Sequence, residues 1–386
     1  MNIAIEGCSH GELDLIYEHI KRRQLEHNIK VDLLICCGDF QAIRDEFDLE
    51  EFCCPPKYKH YRDFKDYYHG IKEAPLLTVF VGGNHEAPSL LKELYFGGWV
   101  AKNIYYLGHS GVISVNGIRI AGVSGIYDHR DYPRGFFEAR PYDESTKRSA
   151  YHVREFDIKK LELLKEPIDM FVSHDWPRGI EQWGDVEGLL RHKPHLRHDV
   201  EANRLGNPYT WMLLRKHKPR YWFAAHMHTR FEARVKHDEG ETYFLALDKP
   251  IGRRSFLEFM QLEPSVPTSY FSKNSVDLFY DIEWLSILKA NSHKMPMNAF
   301  SSAVELSLIE PNEEVKKQVL RALQDNSLER VMVNGKEMYK IKPPTENCIK
   351  NPKDQREMFM AMLKLEDNNY FKPNLQARLQ VSFIPD

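Results

Sequence analysis

The sequence predicts an α/β fold whose core is a mixed sheet or two packed sheets. Short apolar runs alternate with segments of helical spacing in the first half of the chain, a pattern typical of strands buried on both faces. Asn116-Gly117 separates two apolar runs and predicts a type I′ hairpin. With 386 residues, of which 42% are hydrophobic, the chain can bury a large core.

Each element follows from a local pattern. Leu13, Ile16 and Ile20 share one face of a helix predicted over residues 11–27. Further helical patterns cover residues 304–308 and 313–323. The apolar runs predict strands at 1–6, 31–37, 76–81, 112–115, 118–123, 168–172, 221–225 and 243–247.

Composition changes twice along the chain. Residues 124–157 hold seven aromatic residues and six Lys or Arg with no clean period, so we interpret them as a functional insert. After Leu262 the composition becomes rich in Pro, Ser and Asn, which is typical of a linker. We therefore predict a domain over residues 1–258 and a smaller C-terminal domain over 259–386.

Composition also limits the class of protein. No apolar run approaches the roughly 18 residues that a membrane helix needs, and the amino terminus shows no secretory signal, so no membrane partner is expected. Six sparse cysteines fit a reducing compartment. Residues 190–236 carry eleven Lys or Arg against three acids, which indicates either a phosphate-binding surface or, more often, a solvated face balanced by neighbouring acids.

Polar residues capable of binding metals follow five apolar runs directly. In open α/β sheets ligands bind beyond the carboxyl ends of the strands, so these motifs are expected to converge on one metal site. Taken singly, each has an ordinary structural explanation, such as a turn or a core histidine. The motifs are Gly7-Cys8-Ser9-His10, Gly38-Asp39, Gly83-Asn84-His85-Glu86, Ser173-His174-Asp175 and Ala225-His226-Met227-His228.

In this order the motifs resemble those of the calcineurin-like metallophosphoesterases, across about residues 1–250. That resemblance implies a two-sheet β-sandwich flanked by helices and two divalent metal ions bridged by Asp39. Two departures are Cys8, where the family has Asp, and Ala225, where it has Gly. By position, one metal would take Cys8, His10, Asp39 and His228, and the other would take Asp39, Asn84, His174 and His226.

Cys8 narrows the resemblance to the RNA lariat debranching enzymes. Residues 173–177, 225–228 and 246–249 are also similar to that family, and 281–285 resembles the start of its C-terminal domain. The insert matches the position of the family's lariat recognition loop. The resemblance covers most of the chain up to about residue 300.

The family resemblance implies hydrolysis of the 2′–5′ phosphodiester at the branch point of intron lariat RNA, with nuclear and possibly also cytoplasmic residence. His85 would be the general acid that protonates the leaving 2′-oxygen. Tyr127, Arg148 and Tyr151 are the expected RNA contacts, by stacking and phosphate binding. The soft thiolate of Cys8 favours Zn²⁺ at its own site, and the harder second site favours Fe²⁺ or Mn²⁺.

Other interpretations remain open at this point. The chain could be another phosphodiesterase or a protein phosphatase of the same fold, or a non-catalytic scaffold, although the scaffold is disfavoured because every ligand position is kept. Cys8 could be a buried apolar residue in a one-metal enzyme. Cys36, Cys37, Cys53 and Cys54 lack the Cys-x-x-Cys spacing of a structural zinc site. Protein partners cannot be named from the sequence.

Overall fold

The computed structural model describes residues 1–264, 266–272, 275–299, 306–343 and 345–366. The strands are β1 Asn2–Glu6, β2 Leu33–Cys36, β3 Leu77–Phe80, β4 Gly98–Ala101, β5 Ile104–Tyr106, β6 Ser110–Val115, β7 Ile118–Val123, β8 Met170–Ser173, β9 Tyr221–Ala224, β10 Phe231–Lys236, β11 Glu241–Ala246, β12 Leu257–Gln261, β13 Leu278–Tyr280, β14 Arg330–Val333 and β15 Lys336–Tyr339.

The helices are interspersed among these strands. They are α1 Leu13–His27, α2 Glu46–Glu51, α3 Phe64–Tyr68, α4 Pro88–Glu93, α5 Glu144–Ser149, α6 Glu155–Glu162, α7 Val186–His192, α8 Arg197–Glu201, α9 Pro208–His217, α10 Ile282–Asn291, α11 Glu313–Asp325, α12 Glu346–Lys350 and α13 Pro352–Leu363. None of the helices in the described ranges is long and apolar enough to cross a membrane.

Two large mixed sheets form the centre of the protein. The first has six strands in the order β12-β1-β2-β3-β5-β4, and the second has seven in the order β10-β11-β9-β8-β7-β6-β13. Strands β1, β2, β3 and β5 run parallel, as do β7, β8, β9 and β11. Because parallel strands share a direction, their carboxyl ends meet at one edge of each sheet.

Apolar side chains from the two sheets pack against each other. Ile5 and Ile35 of the first sheet and Ile120 and Phe223 of the second belong to one buried cluster. The opposite faces are covered by helices, with α1 and α4 on the first sheet and α9 and α10 among those on the second. The predicted α/β fold with a two-sheet sandwich and flanking helices is confirmed.

The predicted hairpin is present as β6 and β7. Asn116 and Gly117 both have positive φ, 43° and 86°, as a type I′ turn requires. The insert contains α5 and the first turn of α6, which had no periodic signal in the sequence. Tyr132 and Phe136 of the insert are buried in core clusters, so part of its aromatic content serves packing.

The chain beyond residue 258 contributes to both sheets. Strand β12 spans residue 258 and pairs with β1, and β13 pairs with β6. The boundary between 1–258 and 259–386 therefore stays a prediction. The predicted helix at 313–323 is α11, whereas 306–308 form no regular element and 304–305 lie outside the described residues.

Candidate metal centre

The polar motifs of the sequence meet at the carboxyl edge of the sandwich. Those at Cys8, Asp39 and Asn84 follow β1, β2 and β3 of the first sheet, and those at His174 and His226 follow β8 and β9 of the second. Both sheets thus contribute, and the site lies between them. No single sheet could supply the whole set of side chains.

The first half of the centre groups a thiol, a carboxylate and two imidazoles. His10 Nε2 lies 3.1 Å from His228 Nε2 and 3.6 Å from Asp39 Oδ2. The Cys8 sulfur accepts the backbone N–H of His226 at 3.2 Å. The donor atoms lie within 4.8 Å of one another for the set Cys8, His10, Asp39 and His228.

The second half is built around His174. Its Nε2 lies 3.2 Å from Asp39 Oδ1 and 3.3 Å from Asn84 Oδ1. Its other ring nitrogen, Nδ1, lies 2.8 Å from the Cys37 carbonyl oxygen, which fixes the ring orientation. The ring of His226 lies 5.0 Å from that of His174. All four residues predicted for the second metal therefore converge.

Asp39 belongs to both groups and is 1% exposed. Burial alone would raise the pKa of its carboxyl, yet the neighbouring His174, His85 and His10 hold that pKa well below its usual value. Its Oδ2 atom has no hydrogen-bond partner among the described residues. A buried carboxylate oxygen facing imidazoles and a thiol, with no donor, fits a bound divalent cation.

The thiol of Cys8 supports the same conclusion. Burial and the nearby Asp39 and Glu6 carboxyl groups raise its pKa well above the usual value. It would therefore remain a thiol in the absence of a cation, whereas a metal ligand must be the thiolate. Burial also lowers the pKa of His10 to about 4 and of His228 to about 3, which keeps both imidazoles neutral and available as ligands.

Four of the predicted ligands have left-handed backbone conformations. The φ angles are 44° at His10, 47° at Asp39, 60° at His226 and 48° at His228. Non-glycine residues adopt this region uncommonly, and such strain concentrates at functional sites. The backbone therefore turns sharply after β1, β2 and β9 and aims these side chains toward one another.

Two glycines allow the elements to approach closely. A Cβ atom at Gly38 would lie 2.1 Å from His174 Nδ1, and one at Gly83 would lie 2.2 Å from Asp39 Oδ1. Any side chain at either position would occupy the space of a ligand. The Gly-Asp and Gly-Asn-His motifs therefore need glycine for steric reasons.

Two residues that support the centre were not predicted from the sequence. Glu86 accepts backbone N–H bonds from Phe40, Gln41 and Gly83 and so holds the Asp39 loop. The Gln41 side chain lies 3.0 Å from His10 Nδ1. Glu86 ends the Gly-Asn-His-Glu motif, which is a usable signal, whereas no pattern distinguishes Gln41.

His85 lies at the rim of the centre and is partly exposed. Its ring lies 5.5 Å from that of His10 and 6.1 Å from that of Phe52. Its backbone N–H donates to Asp39 Oδ1 at 2.9 Å. The side chain is thus beside the ligands without belonging to either group, as a proton donor requires.

The insert brings one of its three predicted RNA contacts next to the centre. Tyr151 lines one pocket together with Gly83 and Glu86, which border the metal centre, and burial raises the pKa of its phenol to about 12. Tyr127 lies further along, its ring 5.8 Å from Tyr209 and under the Arg178 guanidinium. Arg148 is exposed near the end of α5.

The basic segment 190–236 does not form a single patch. Arg230 pairs with Glu232 and Glu258, and Arg234 pairs with Glu241. Other pairs are Arg191 with Asp185, Arg197 with Glu201, Arg204 with Asp199 and Lys218 with Asp238. The solvated face balanced by acids is the better description of most of this segment.

Comparisons with known proteins support the same assignment. Residues 1–230 match the family profile of the calcineurin-like phosphoesterases, and residues 239–370 match that of the lariat debranching enzyme C-terminal domain. The second match continues past residue 300, where the sequence motifs end.

Several curated relatives are named lariat debranching enzymes. The Arabidopsis thaliana protein is 49% identical over 77% of this chain and 70% of its own length, and the Homo sapiens protein is 50% identical over 75% of this chain. The Schizosaccharomyces pombe protein is 38% identical over 98% of this chain and 94% of its own length. The match spans 54% of the human protein, so this chain corresponds to about half of that relative.

Proposed function

Because this chain belongs to the lariat debranching enzyme family, within the calcineurin-like phosphoesterases, we propose that it hydrolyses the 2′–5′ phosphodiester at the branch point of excised intron lariat RNA. The observation that carries the proposal is the convergence of two ligand groups on the single buried carboxylate of Asp39. Water would add to phosphorus as the bond to the 2′-oxygen breaks. The products would be a linear RNA with a 5′-phosphate and a free 2′-hydroxyl.

The centre suits an anionic diester. When bound, two divalent cations neutralise the phosphate charge and lower the pKa of the attacking water. The protein supplies one carboxylate, one thiolate, neutral imidazoles and an amide, so two divalent cations would leave the site with net positive charge for the phosphate. Asp39 joins both ligand groups because its Oδ2 faces His10 in one half of the site and its Oδ1 faces His174 in the other.

His85 is the proposed general acid for the 2′-oxygen. It directly follows Asn84, and its ring lies 5.5 Å from that of His10 and 6.1 Å from that of Phe52. This position supports proton donation at the rim of the metal centre, where a leaving group would depart. General acid catalysis typically contributes about 10²–10⁴-fold to the rate.

The insert is the proposed recognition loop for the branch point. Tyr151 supports this role because it lines a pocket with Gly83 and Glu86 beside the metal centre, and stacking on an aromatic ring does not require a particular base. Tyr127 with Arg178 would form a second platform, and Arg148 would contact a phosphate. Residence in the nucleus, where lariats form, is part of the proposal and rests only on the family.

The metal assignment is also proposed. Thiolate and imidazole ligands favour Zn²⁺ in the half that contains Cys8. The half formed by Asp39, Asn84, His174 and His226 offers oxygen and nitrogen donors, which favour Fe²⁺ or Mn²⁺. Elemental analysis of the protein as purified, before and after mild chelation, measures both occupancies.

One assay tests the function. Branched RNA with a 2′–5′ linkage and linear 3′–5′ RNA of the same composition are incubated with the protein, with and without a chelator. We expect cleavage of the branched RNA alone, its loss with chelator, and no cleavage by the Asp39→Ala variant. Cleavage of both RNAs at similar rates would favour a general phosphodiesterase, and cleavage of neither would contradict the proposal.

A further inference from the structure

A basic loop lies directly beside the Cys8 half of the metal centre. It joins β11 to β12 and carries Lys249, Arg253 and Arg254. The Asp248 carbonyl oxygen accepts the Cys8 backbone N–H at 3.3 Å, and the Asp248 N–H bonds the Ser255 carbonyl oxygen at 3.1 Å, which closes the loop. The loop is therefore anchored to the residue next to β1.

The side chain of Asp248 organises this loop. Its Oδ1 accepts the Lys249 backbone N–H at 2.7 Å and the Arg254 guanidinium at 2.9 Å. Lys249 directly follows Asp248, whose carbonyl oxygen accepts the Cys8 backbone N–H, so Lys249 stands at the end of the loop nearest the Cys8 half of the metal centre.

The basic charge continues outward into a surface groove. The groove has a volume of about 530 Å³ and runs between the loop and α1. Its acids are Glu26, 4.0 Å from Arg22, and Glu258, which pairs with Arg230. Its cationic and aromatic lining comprises Arg22, Arg23, Arg253, Arg254, Phe256 and Phe259.

Closely spaced arginines along a surface groove are the chemistry of a phosphate-binding surface. Guanidinium groups bind phosphates, whereas the Phe256 ring is buried and the Phe259 ring lies beneath Arg23, so the groove offers charge rather than open rings. The Arg23 guanidinium lies over the Phe259 ring at 5.6 Å, which holds the two groups side by side. Arg22 and Arg253 are exposed, so phosphates could reach both.

Strand order places this groove and the insert on opposite sides of Asp39. In the first sheet β1 and β3 flank β2, which ends at the Asp39 loop. The basic loop adjoins β1 through Cys8, whereas the insert adjoins β3 through the bond from Gly125 N–H to the Gly82 carbonyl oxygen. His85 also follows β3, so the two strands that meet at the scissile phosphate can diverge to different surfaces.

We propose that the groove lined by Arg22, Arg23, Arg253 and Arg254, with Lys249 at its inner end, binds the RNA strand joined to the scissile phosphate through its 5′-oxygen. The inference rests on the proposed debranching function. The 2′-oxygen of the branch nucleotide faces His85 on the β3 side, and in-line attack places the water opposite it. The 5′-oxygen then projects sideways from the phosphorus, which leaves its strand free to run toward the cationic loop on the β1 side. The phosphates after the scissile one then lie along the arginines.

The experiment compares two double variants that remove equal charge. Arg22→Gln with Arg253→Gln is the groove variant, and Lys316→Gln with Lys317→Gln on α11 is the control. Substrates are branched RNAs whose 2′-linked arm is either one nucleotide or roughly ten nucleotides, within the span that single-strand sites cover. We measure kcat/KM from about 50 to about 200 mM salt, and in parallel the affinity for a linear single-stranded RNA.

Each lost phosphate contact should lower the slope of log affinity against log salt by about 0.7, so two contacts lower it by about 1.4. Between about 50 and about 200 mM salt, the fold-decrease in kcat/KM on the long-arm RNA should be about seven times larger for the wild type than for the groove variant. The control should behave as the wild type does, and the one-nucleotide arm should make all three proteins alike.

Equal salt slopes for the wild type and the groove variant on the long-arm RNA would overturn the inference, as would an equal effect of the control variant. An equal effect of the groove variant on the one-nucleotide-arm RNA would also overturn it. If the wild type cleaves no branched RNA, the debranching function fails. The affinity for linear RNA still decides on the groove in that case, because unchanged affinity of the groove variant would contradict it.

Discussion

Glu86 holds the loop that carries Asp39, and replacing it tests how the metal centre is supported. This carboxylate is buried, and its two oxygens accept four backbone N–H bonds. Oε1 accepts from Phe40 at 2.6 Å and Gly83 at 3.1 Å, and Oε2 accepts from Gln41 at 2.9 Å and Ala42 at 3.4 Å. Glu86→Gln keeps the size and shape but replaces one oxygen with an amino group, which cannot accept.

The expected cost follows from counting the donors. Either orientation of the amide leaves two backbone N–H groups without an acceptor. A buried donor left unpaired costs about 1–3 kcal/mol, so Glu86→Gln should lower the free energy of unfolding by about 2–6 kcal/mol. The Asp39 loop should also lose its position, so the variant should retain less metal than the wild type.

Denaturant unfolding with a chelator present measures the structural part of this cost, because bound metal then contributes nothing. Glu18→Gln, an exposed carboxylate on α1, is the matched control and should stay within about 0.5 kcal/mol of the wild type. If Glu86→Gln also stayed within that range, the four hydrogen bonds would not support the loop and the reasoning would be refuted.

Four further substitutions test separate groups. His85→Ala should keep metal content while lowering the cleavage rate about 10²–10⁴-fold, and metal loss would contradict its role as an acid. Cys8→Ser should lower zinc content by elemental analysis, whereas unchanged zinc would mean that the thiol is not a ligand. Tyr151→Ala should weaken branched RNA binding by about 1–3 kcal/mol, with small diester hydrolysis unaffected. Burial lowers the pKa of His109 from 6.5 to about 4. Between these two values the unfolded chain binds a proton that the folded protein does not, so the free energy of unfolding should fall by about 3 kcal/mol as pH drops from 6.5 toward 4. His109→Leu should flatten this pH dependence of the unfolding free energy, and an unchanged dependence would contradict the lowered pKa of His109.

The central strands were predictable because they are buried on both faces. Continuous apolar runs identify β1, β2, β3, β8 and β9 regardless of what surrounds them. The strands that were missed lie toward the sheet edges. β10 alternates buried and exposed residues, which is the period of a strand with one face in solvent. β12 is half-buried except at its last residue.

The meeting of the polar motifs was predictable because each directly follows such a strand. What the sequence could not predict is how the chain turns there. His10, Asp39, His226 and His228 adopt left-handed conformations that local propensity disfavours, and only the packing of two sheets imposes them. The same limit applies to the basic groove, since Arg22 and Arg253 are far apart in the sequence and are brought together by the pairing of β12 with β1.

The strained backbone at the centre links folding to metal binding. A left-handed non-glycine residue costs of order 1–3 kcal/mol, so four of them cost of order 4–12 kcal/mol, comparable with the whole stability of a typical domain. The apolar sandwich must therefore hold these turns in place, because their own sequence does not favour them. Ions that bind only the folded arrangement stabilise it by mass action and offset part of this strain. The geometry that gathers a thiol, a carboxylate and imidazoles is thus maintained by the core beneath it, and bound cations would add to that support.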